Sequence, residues 1–291
     1  MKSSDLLKSF APHLIALGAF LALSFIYCSP VLKGYQLSSN DITQFKGAAR
    51  EYLDYKDKTG EKTHWTNTMF SGMPGYQITG GWEMDLIGVK NLKWLMSKAL
   101  PKPVNAIFLP MLGFYILLLV LKLDPLKAGI GAIAYGFTSN IIISIEAGHM
   151  TKVLTMGFAP FTVAGFLMVI KNNRPYAGIA MFSLFLAFQL AQNHPQITYY
   201  TAILLFILGT FEFYSYLKEK QNQALIKNIG FLLIGAILAV GSVSGNLLHT
   251  LSYSNQSTRG QSELSLQGQK ESSGLDKDYV TRWSYGVAET G

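Results

Sequence analysis

The chain has 291 residues, of which 49% are hydrophobic and 14% are charged. Its apolar residues fall in runs about as long as a bilayer core requires, ~20 residues, which indicates a membrane protein. A transmembrane β-barrel is excluded, because its strands would alternate apolar and polar residues over about ten positions. The formal net charge is +7, but no patch of interleaved aromatic and basic residues indicates a nucleic-acid partner.

Seven apolar segments predict seven membrane-spanning helices. They lie near 12–32, 104–121, 128–145, 153–170, 176–193, 196–214 and 229–248. Helices are the spanning form expected, because backbone polar groups in lipid must be hydrogen-bonded within the segment. We therefore predict an all-α polytopic membrane protein.

The first span ends beside Cys28, the only cysteine of the chain. A lone cysteine forms neither an internal disulfide nor a zinc cluster, and we interpret Cys28 as a small apolar residue of the helix. The bulky run Phe25-Ile26-Tyr27 precedes it, whereas signal cleavage sites require small side chains. We expect the first span to remain uncleaved.

The basic residues of the short loops predict the orientation of the helices. Those on one side are Lys2, Lys8, Lys122, Lys127, Lys171, Arg174, Lys218, Lys220 and Lys227, whereas the opposite short loops hold only Lys152. By the positive-inside rule the N-terminus is cytoplasmic. The predicted parts are then a cytoplasmic N-terminus with the first span (1–32), an extracytoplasmic loop (33–103), six further spans (104–248) and an extracytoplasmic segment (249–291).

The long loop 33–103 is predicted to contain two helices. Residues 43–57 suit one helix, and residues 82–99 suit a second whose apolar stripe lies beside lysines, as expected for a helix in the plane of the membrane interface. Between them, the aromatic loop from Trp65 to Tyr76 is punctuated by glycine and proline. That loop either caps the bundle or forms a pocket wall, with Trp65 and Asn67 as candidates for contact with a sugar ring.

Asp41 places a carboxylate just beyond the first span, at the mouth of the predicted bundle. Two further outer loops are short yet polar, and they supply Glu146, His149, Lys152 and His194. Ionisable groups at membrane depth tend to face the bundle interior or a watery cavity. We therefore expect Asp41, Glu146, His149 and His194 to converge on one outward-facing cavity. The alternative is that each caps its own helix and faces lipid headgroups separately.

Several of these groups suit a phosphate or a metal. Lys152 or Arg259 would neutralise a phosphate, as basic side chains commonly do. Glu146 and His149 would alternatively hold a divalent metal ion, but their i,i+3 spacing matches no closed metal motif. The sequence therefore leaves the cofactor open between none and a divalent metal.

The sequence resembles the YfhO-type family of bacterial membrane proteins along essentially its whole length. The segments that carry the resemblance are Asp41-Ile42-Thr43-Gln44, Trp65-Thr66-Asn67, Met69-Phe70-Ser71-Gly72-Met73-Pro74, Glu146-Ala147-Gly148-His149, Asn193-His194-Pro195-Gln196-Ile197-Thr198-Tyr199-Tyr200 and Gly274-Leu275-Asp276-Lys277-Asp278-Tyr279. Members of that family are larger than this chain. The aromatic residues that return at Trp283 and Tyr285, after a polar stretch, also lead us to expect an N-terminal fragment of a longer protein.

The resemblance implies a relation to the GT-C glycosyltransferases, which use polyprenyl-phosphate-linked sugars outside the cytoplasmic membrane of bacteria. It implies a GT-C-like helical bundle whose long first outer loop contains membrane-parallel helices, with a catalytic acid just after the first span. Asp41 matches that position. The Asp-x-Asp or Asp-Glu pair of metal-dependent relatives is missing here, since Asn40 precedes Asp41 and Ile42 follows it.

We therefore predict an inverting sugar transfer from a polyprenyl-phosphate donor to an extracytoplasmic acceptor, with Asp41 as general base. Lys152, Arg259, His149 and His194 are the candidates for the leaving phosphate. The expected partners are membrane lipid and the polyprenyl-phosphate-linked sugar. Two alternatives stay open: a transporter or flippase for a lipid-linked glycan, and a noncatalytic membrane assembly protein.

Overall fold

A computed structural model describes residues 3–79, 99–171, 174–254, 257, 277–282 and 284. The chain divides into two units, the first of which extends to Val243. The described helices of the first unit are α1 (Ser3–Tyr27), α2 (Asn40–Ala48), α3 (Arg50–Thr59), α4 (Tyr76–Thr79), α5 (Val104–Val120), α6 (Pro125–Gly136), α7 (Ser139–Ala147), α8 (Met150–Ile170), α9 (Pro175–Ala191), α10 (Pro195–Lys218) and α11 (Asn222–Ser242). The described helices of the second unit are α12 (Ser244–Ser254) and α13 (Lys277–Thr281).

The protein is an all-α, multi-pass membrane protein. Among the described residues, α1, α8, α10 and α11 are each long and apolar enough to cross a membrane, and the bent pair α6–α7 adds a fifth span if it crosses as one. Helices α5 and α9 are equally apolar but have 17 residues each. An apolar helix or helix pair thus occupies each of the seven predicted positions.

The boundaries of two spans differ from the prediction. Helix α1 ends at Tyr27 and a separate 3-10 helix, Ser29–Lys33, follows it, because Pro30 lacks the N–H that would continue the α-helical pattern. The last span, predicted over 229–248, begins and ends earlier as α11. Its first turns carry Asn222, Lys227 and Asn228, which lower the hydropathy without preventing a helix.

The third span, predicted as one helix over 128–145, is broken. Helices α6 and α7 meet at a bend of 41°. Thr138 between them has an extended backbone, with φ −61° and ψ 143°. The run Thr138-Ser139-Asn140 favours such a break, since these side chains compete for backbone hydrogen bonds and prefer helix starts to helix interiors.

Helix α8 forms the centre of the bundle. Of its apolar stretch 83% is buried, against 11% for α10 and 22% for α11. It packs most closely on α9, where Gly165 faces Gly178, and a methyl group added at either glycine would collide with the other helix. Small residues permit this close approach, which is the usual basis of helix association in lipid. The peripheral helices α10 and α11 present their apolar side chains outward.

The long loop after α1 contains two helices where one was predicted over 43–57. Helices α2 and α3 meet at Ala49, which is fully buried. Gly47, in the last turn of α2, has a low helix propensity and favours a break there. The predicted interfacial helix over 82–99 lies outside the described residues, apart from position 99.

Candidate functional site

Asp41 contacts His149 directly. The imidazole Nε2 lies 2.9 Å from Oδ2 of Asp41, and both side chains are about half exposed, at 48% for Asp41 and 49% for His149. Asp41 belongs to the first turn of α2, where a negative charge is stabilised by the positive end of the helix. The contact joins the long loop after α1 to the turn between α7 and α8.

That turn brings the two backbones together through Gly148. Gly148 ends α7 with φ +90°, and the Gly148 N–H donates to the Ile145 carbonyl while the His149 N–H donates to the Ser144 carbonyl. This pair of bonds is a Schellman motif. A Cβ atom at Gly148 would collide with the hydroxyl of Ser39 and lie 3.4 Å from the Cβ of Asp41.

Ser39 explains why α2 begins at this point. Its hydroxyl accepts a hydrogen bond of 3.3 Å from the Ile42 N–H, and its backbone is extended. Serine is among the preferred residues at a helix start, because its oxygen satisfies one of the free N–H groups there. The cap therefore fixes the direction of α2 and places Asp41 over the glycine of the turn.

A cavity of about 560 Å³ lies on the His149 side of the turn, and we call it the His149 cavity. Its lining residues are Tyr135, Asn140, His149, Lys152, Met156, Ala159, His194, Gln196, Ile197, Tyr200, Thr201 and Leu204. Polar and basic groups come from the helix ends, whereas Met156, Ala159 and Leu204 belong to helix interiors. The ten residues from His149 to Ala159 span about 15 Å at 1.5 Å of rise per residue, so the cavity reaches roughly three helical turns into the bundle.

The cavity collects positive charge. His149 and His194 are the cap residues that precede α8 and α10, and Lys152 lies in the first turn of α8. The amino end of a helix carries a partial positive charge, so two helix ends and Lys152 act together. Burial, together with the nearby Lys152 and His149, lowers the pKa of His194. Such an environment favours an anion.

His194 also has an unsatisfied atom. Its Nδ1 is buried without a hydrogen-bond partner in the described part of the chain, and so are the side-chain amide nitrogen of Gln192 and the hydroxyl oxygen of Thr198. Buried polar atoms are normally paired, and exceptions often mark sites where a ligand or water binds. All three belong to the turn and first residues of α10.

Internal hydrogen bonds fix the walls of the cavity. The Tyr135 hydroxyl donates to the Met156 carbonyl at 3.1 Å; that carbonyl has no helical partner, because Pro160 four residues later lacks an N–H. The Gln189 amide nitrogen donates to the Thr201 hydroxyl at 2.7 Å, within the buried interior. These bonds tie α6 to α8 and α9 to α10.

Of the four residues predicted to converge, His149 and His194 line this cavity, and Asp41 is joined to it only through its contact with His149. Glu146 does not line this cavity. It lines a second cavity of about 340 Å³, which we call the Cys28 pocket. The lining residues are Tyr27, Cys28, Pro30, Val31, Tyr35, Gln36, Leu37, Pro103, Ile142, Ile145 and Glu146. The turn at Gly148 changes the chain direction, so Glu146 and His149 do not share a helix face. The described residues also contain no group of three or more His, Cys, Asp or Glu side chains that suits a metal ion.

Trp65 and Asn67 lie in a hairpin whose two short strands, Trp65–Thr66 and Met73–Pro74, pair antiparallel. The Glu51 carboxylate of α3 accepts hydrogen bonds from the Asn67 N–H at 2.6 Å and from the Thr66 hydroxyl at 2.8 Å. The hydrogen bond from the Asn67 N–H, followed by that from the Thr66 hydroxyl, lowers the pKa of Glu51. Neither Trp65 nor Asn67 lines the His149 cavity, and Arg259 lies outside the described residues.

Sequence reasoning missed Ser39, Gly148 and Tyr135 as parts of the site. Ser39, a serine before a polar helix start, and Gly148, a glycine at the end of an apolar helix, are the sequence signals that could have identified the two helix ends. No family model, curated protein or solved structure matches the chain.

Proposed function

We propose that this protein is a membrane glycosyltransferase of GT-C-like fold, which moves a sugar from a polyprenyl-phosphate donor to an acceptor outside the cytoplasmic membrane of a bacterium. The observation that carries the proposal is the Asp41–His149 contact, because His149 also lines a cavity that holds Lys152 and the amino ends of two helices. A carboxylate for proton removal and a positive cavity for a leaving phosphate are the two groups that such a transfer requires.

Asp41 is the general base of the proposed reaction. The acceptor O–H transfers its proton to the carboxylate as the acceptor oxygen forms a bond to the anomeric carbon. The bond from that carbon to the phosphate oxygen breaks, and its electron pair leaves with the polyprenyl phosphate. His149, which contacts Oδ2 of Asp41, holds the carboxylate in place and leaves the second oxygen for the acceptor.

Lys152 and His194 receive the phosphate in this proposal. Both line the His149 cavity with the amino ends of α8 and α10, and helix amino ends bind phosphate groups readily. The deeper apolar residues Met156 and Leu204 suit the first isoprene units. The rest of the lipid tail contacts the outward-facing side of α10, because the apolar residues of this helix are largely unburied.

A transporter for a lipid-linked glycan is the second candidate, and the bend between α6 and α7 favours it. Broken helices near the middle of the membrane are typical of secondary transporters. Asn140 and Tyr135 on either side of this break line the His149 cavity. The charged groups of the cavity, however, come from helix ends, which fits a transferase at the membrane surface better.

An assay in proteoliposomes separates the two functions. The full chain is supplied with polyprenyl-phosphate-linked hexoses and candidate acceptors, and the lipids are analysed by mass spectrometry. We expect free polyprenyl phosphate to accumulate in proportion to glycosylated acceptor. Movement of an intact sugar lipid to the opposite leaflet, with no cleavage of the sugar–phosphate bond, would instead identify a transporter.

A further inference from the structure

The Cys28 pocket is independent of the proposed transfer site. Its interior is apolar and includes Cys28 and Ile145, each 6% exposed. Its mouth carries one carboxylate, Glu146, which is exposed. Within the described part of the chain, no basic side chain forms an ion pair with Glu146.

The pocket lies at helix ends, which is where a spanning helix meets lipid headgroups. Tyr27 is the last residue of the spanning helix α1, and Glu146 lies in the last turn of α7. Tyr27 and Tyr35, which are 53% and 67% exposed, border the pocket beside the carboxylate. Tyrosines are enriched at the membrane–water interface, and their ring faces attract cations.

We propose that the Cys28 pocket binds one lipid of the surrounding bilayer whose headgroup carries a primary ammonium, such as phosphatidylethanolamine. The ammonium pairs with Glu146 and contacts Tyr27 or Tyr35, while an acyl chain follows the apolar wall formed by Val31, Leu37 and Ile142. The negative charge of Glu146 favours a headgroup with an ammonium, because a carboxylate without a paired cation repels an anionic lipid. The pocket thus differs in charge from the His149 cavity, which holds Lys152 and two helix amino ends.

Cys28 provides a direct probe, since it is the only thiol of the chain and lines the pocket. The unmodified protein is placed in nanodiscs of phosphatidylglycerol alone or with added phosphatidylethanolamine. Modification by N-ethylmaleimide is followed by intact mass. Burial raises the pKa of the Cys28 thiol, so the reaction is run at mildly alkaline pH to increase the thiolate fraction.

We expect phosphatidylethanolamine to slow the modification of Cys28 by about tenfold, the effect of a ligand at ten times its Kd. Glu146→Gln should remove this protection, whereas Glu61→Gln, which changes an exposed carboxylate elsewhere in the outer loop, should keep it. Equal rates in the two bilayers, or protection that survives Glu146→Gln, would overturn the proposal.

Native mass spectrometry supplies a second readout if the thiol reacts too slowly to follow. The wild-type protein and Glu61→Gln should retain phosphatidylethanolamine, and Glu146→Gln should lose it. Retention of the same lipid by all three proteins would contradict selection by Glu146. Neither readout involves sugar transfer, so the result stands apart from the proposed activity.

Discussion

Asp41→Asn is expected to lower the rate of sugar transfer by about 10²–10⁴-fold, the usual contribution of a well-placed general base. The amide has nearly the shape of the carboxylate but cannot accept the acceptor proton at neutral pH. Because Asp41 and His149 are each about half exposed, their pair contributes little to stability. The membrane abundance of the variant should therefore match that of the wild type.

The matched control for this substitution is Asp54→Asn. Asp54 lies on α3 in an exposed pair with Arg50, whereas Asp41 pairs with His149 of the cavity. The sugar-transfer rate of Asp54→Asn should equal that of the wild type. Full activity in Asp41→Asn, measured by release of polyprenyl phosphate, would remove Asp41 from the role of base.

Gly148→Ala should have the largest effect on the architecture of the site. The left-handed backbone at φ +90° costs an alanine about 1–2 kcal/mol, and the collision of its Cβ with Ser39 adds about 1–3 kcal/mol of overpacking. The amino end of α2 would have to move away from the turn, which separates Asp41 from His149. We expect a lower thermal unfolding temperature together with loss of transfer.

Two comparisons separate strain from collision. Gly60→Ala has a similar backbone, with φ +73°, but nothing within 4 Å of the added Cβ, so it should show the strain alone and keep activity. The double variant Ser39→Ala with Gly148→Ala removes the colliding hydroxyl and should recover part of the lost activity. If Gly148→Ala behaves like Gly60→Ala in both measurements, the close contact at Ser39 has no role in the site.

The sequence predicts the proximity of Asp41 and His149 but not their contact. Successive spans alternate in direction, so the end of the first span and the end of the third lie at the same membrane face. Hydropathy is sufficient for that conclusion. The contact itself depends on the cap at Ser39 and the left-handed Gly148, and both are details of single residues that hydropathy does not represent.

The prediction that Glu146 shares a cavity with His149 was wrong, again because of a backbone detail that hydropathy does not represent. Glu146 was grouped with His149 because both lie in a short polar loop at the same membrane face. The helix ends at Ala147, and the turn that follows sends the two side chains to different cavities. The bend at Thr138 was not predicted either, because the apolar residues on both sides of the polar run Thr138-Ser139-Asn140 indicated one continuous span.

Binding of a lipid phosphate in the His149 cavity is the most direct test of the central claim. Native mass spectrometry of the full chain with a long-chain polyprenyl phosphate should show one bound lipid. Lys152→Gln should weaken binding by about tenfold or more, since a charge-assisted hydrogen bond contributes ~1.5–3 kcal/mol. Lys46→Gln, an exposed lysine of α2 outside the cavity, should bind as the wild type does. Equal affinity in the wild type, Lys152→Gln and Lys46→Gln, or no binding by the wild type, would contradict a phosphate site in this cavity.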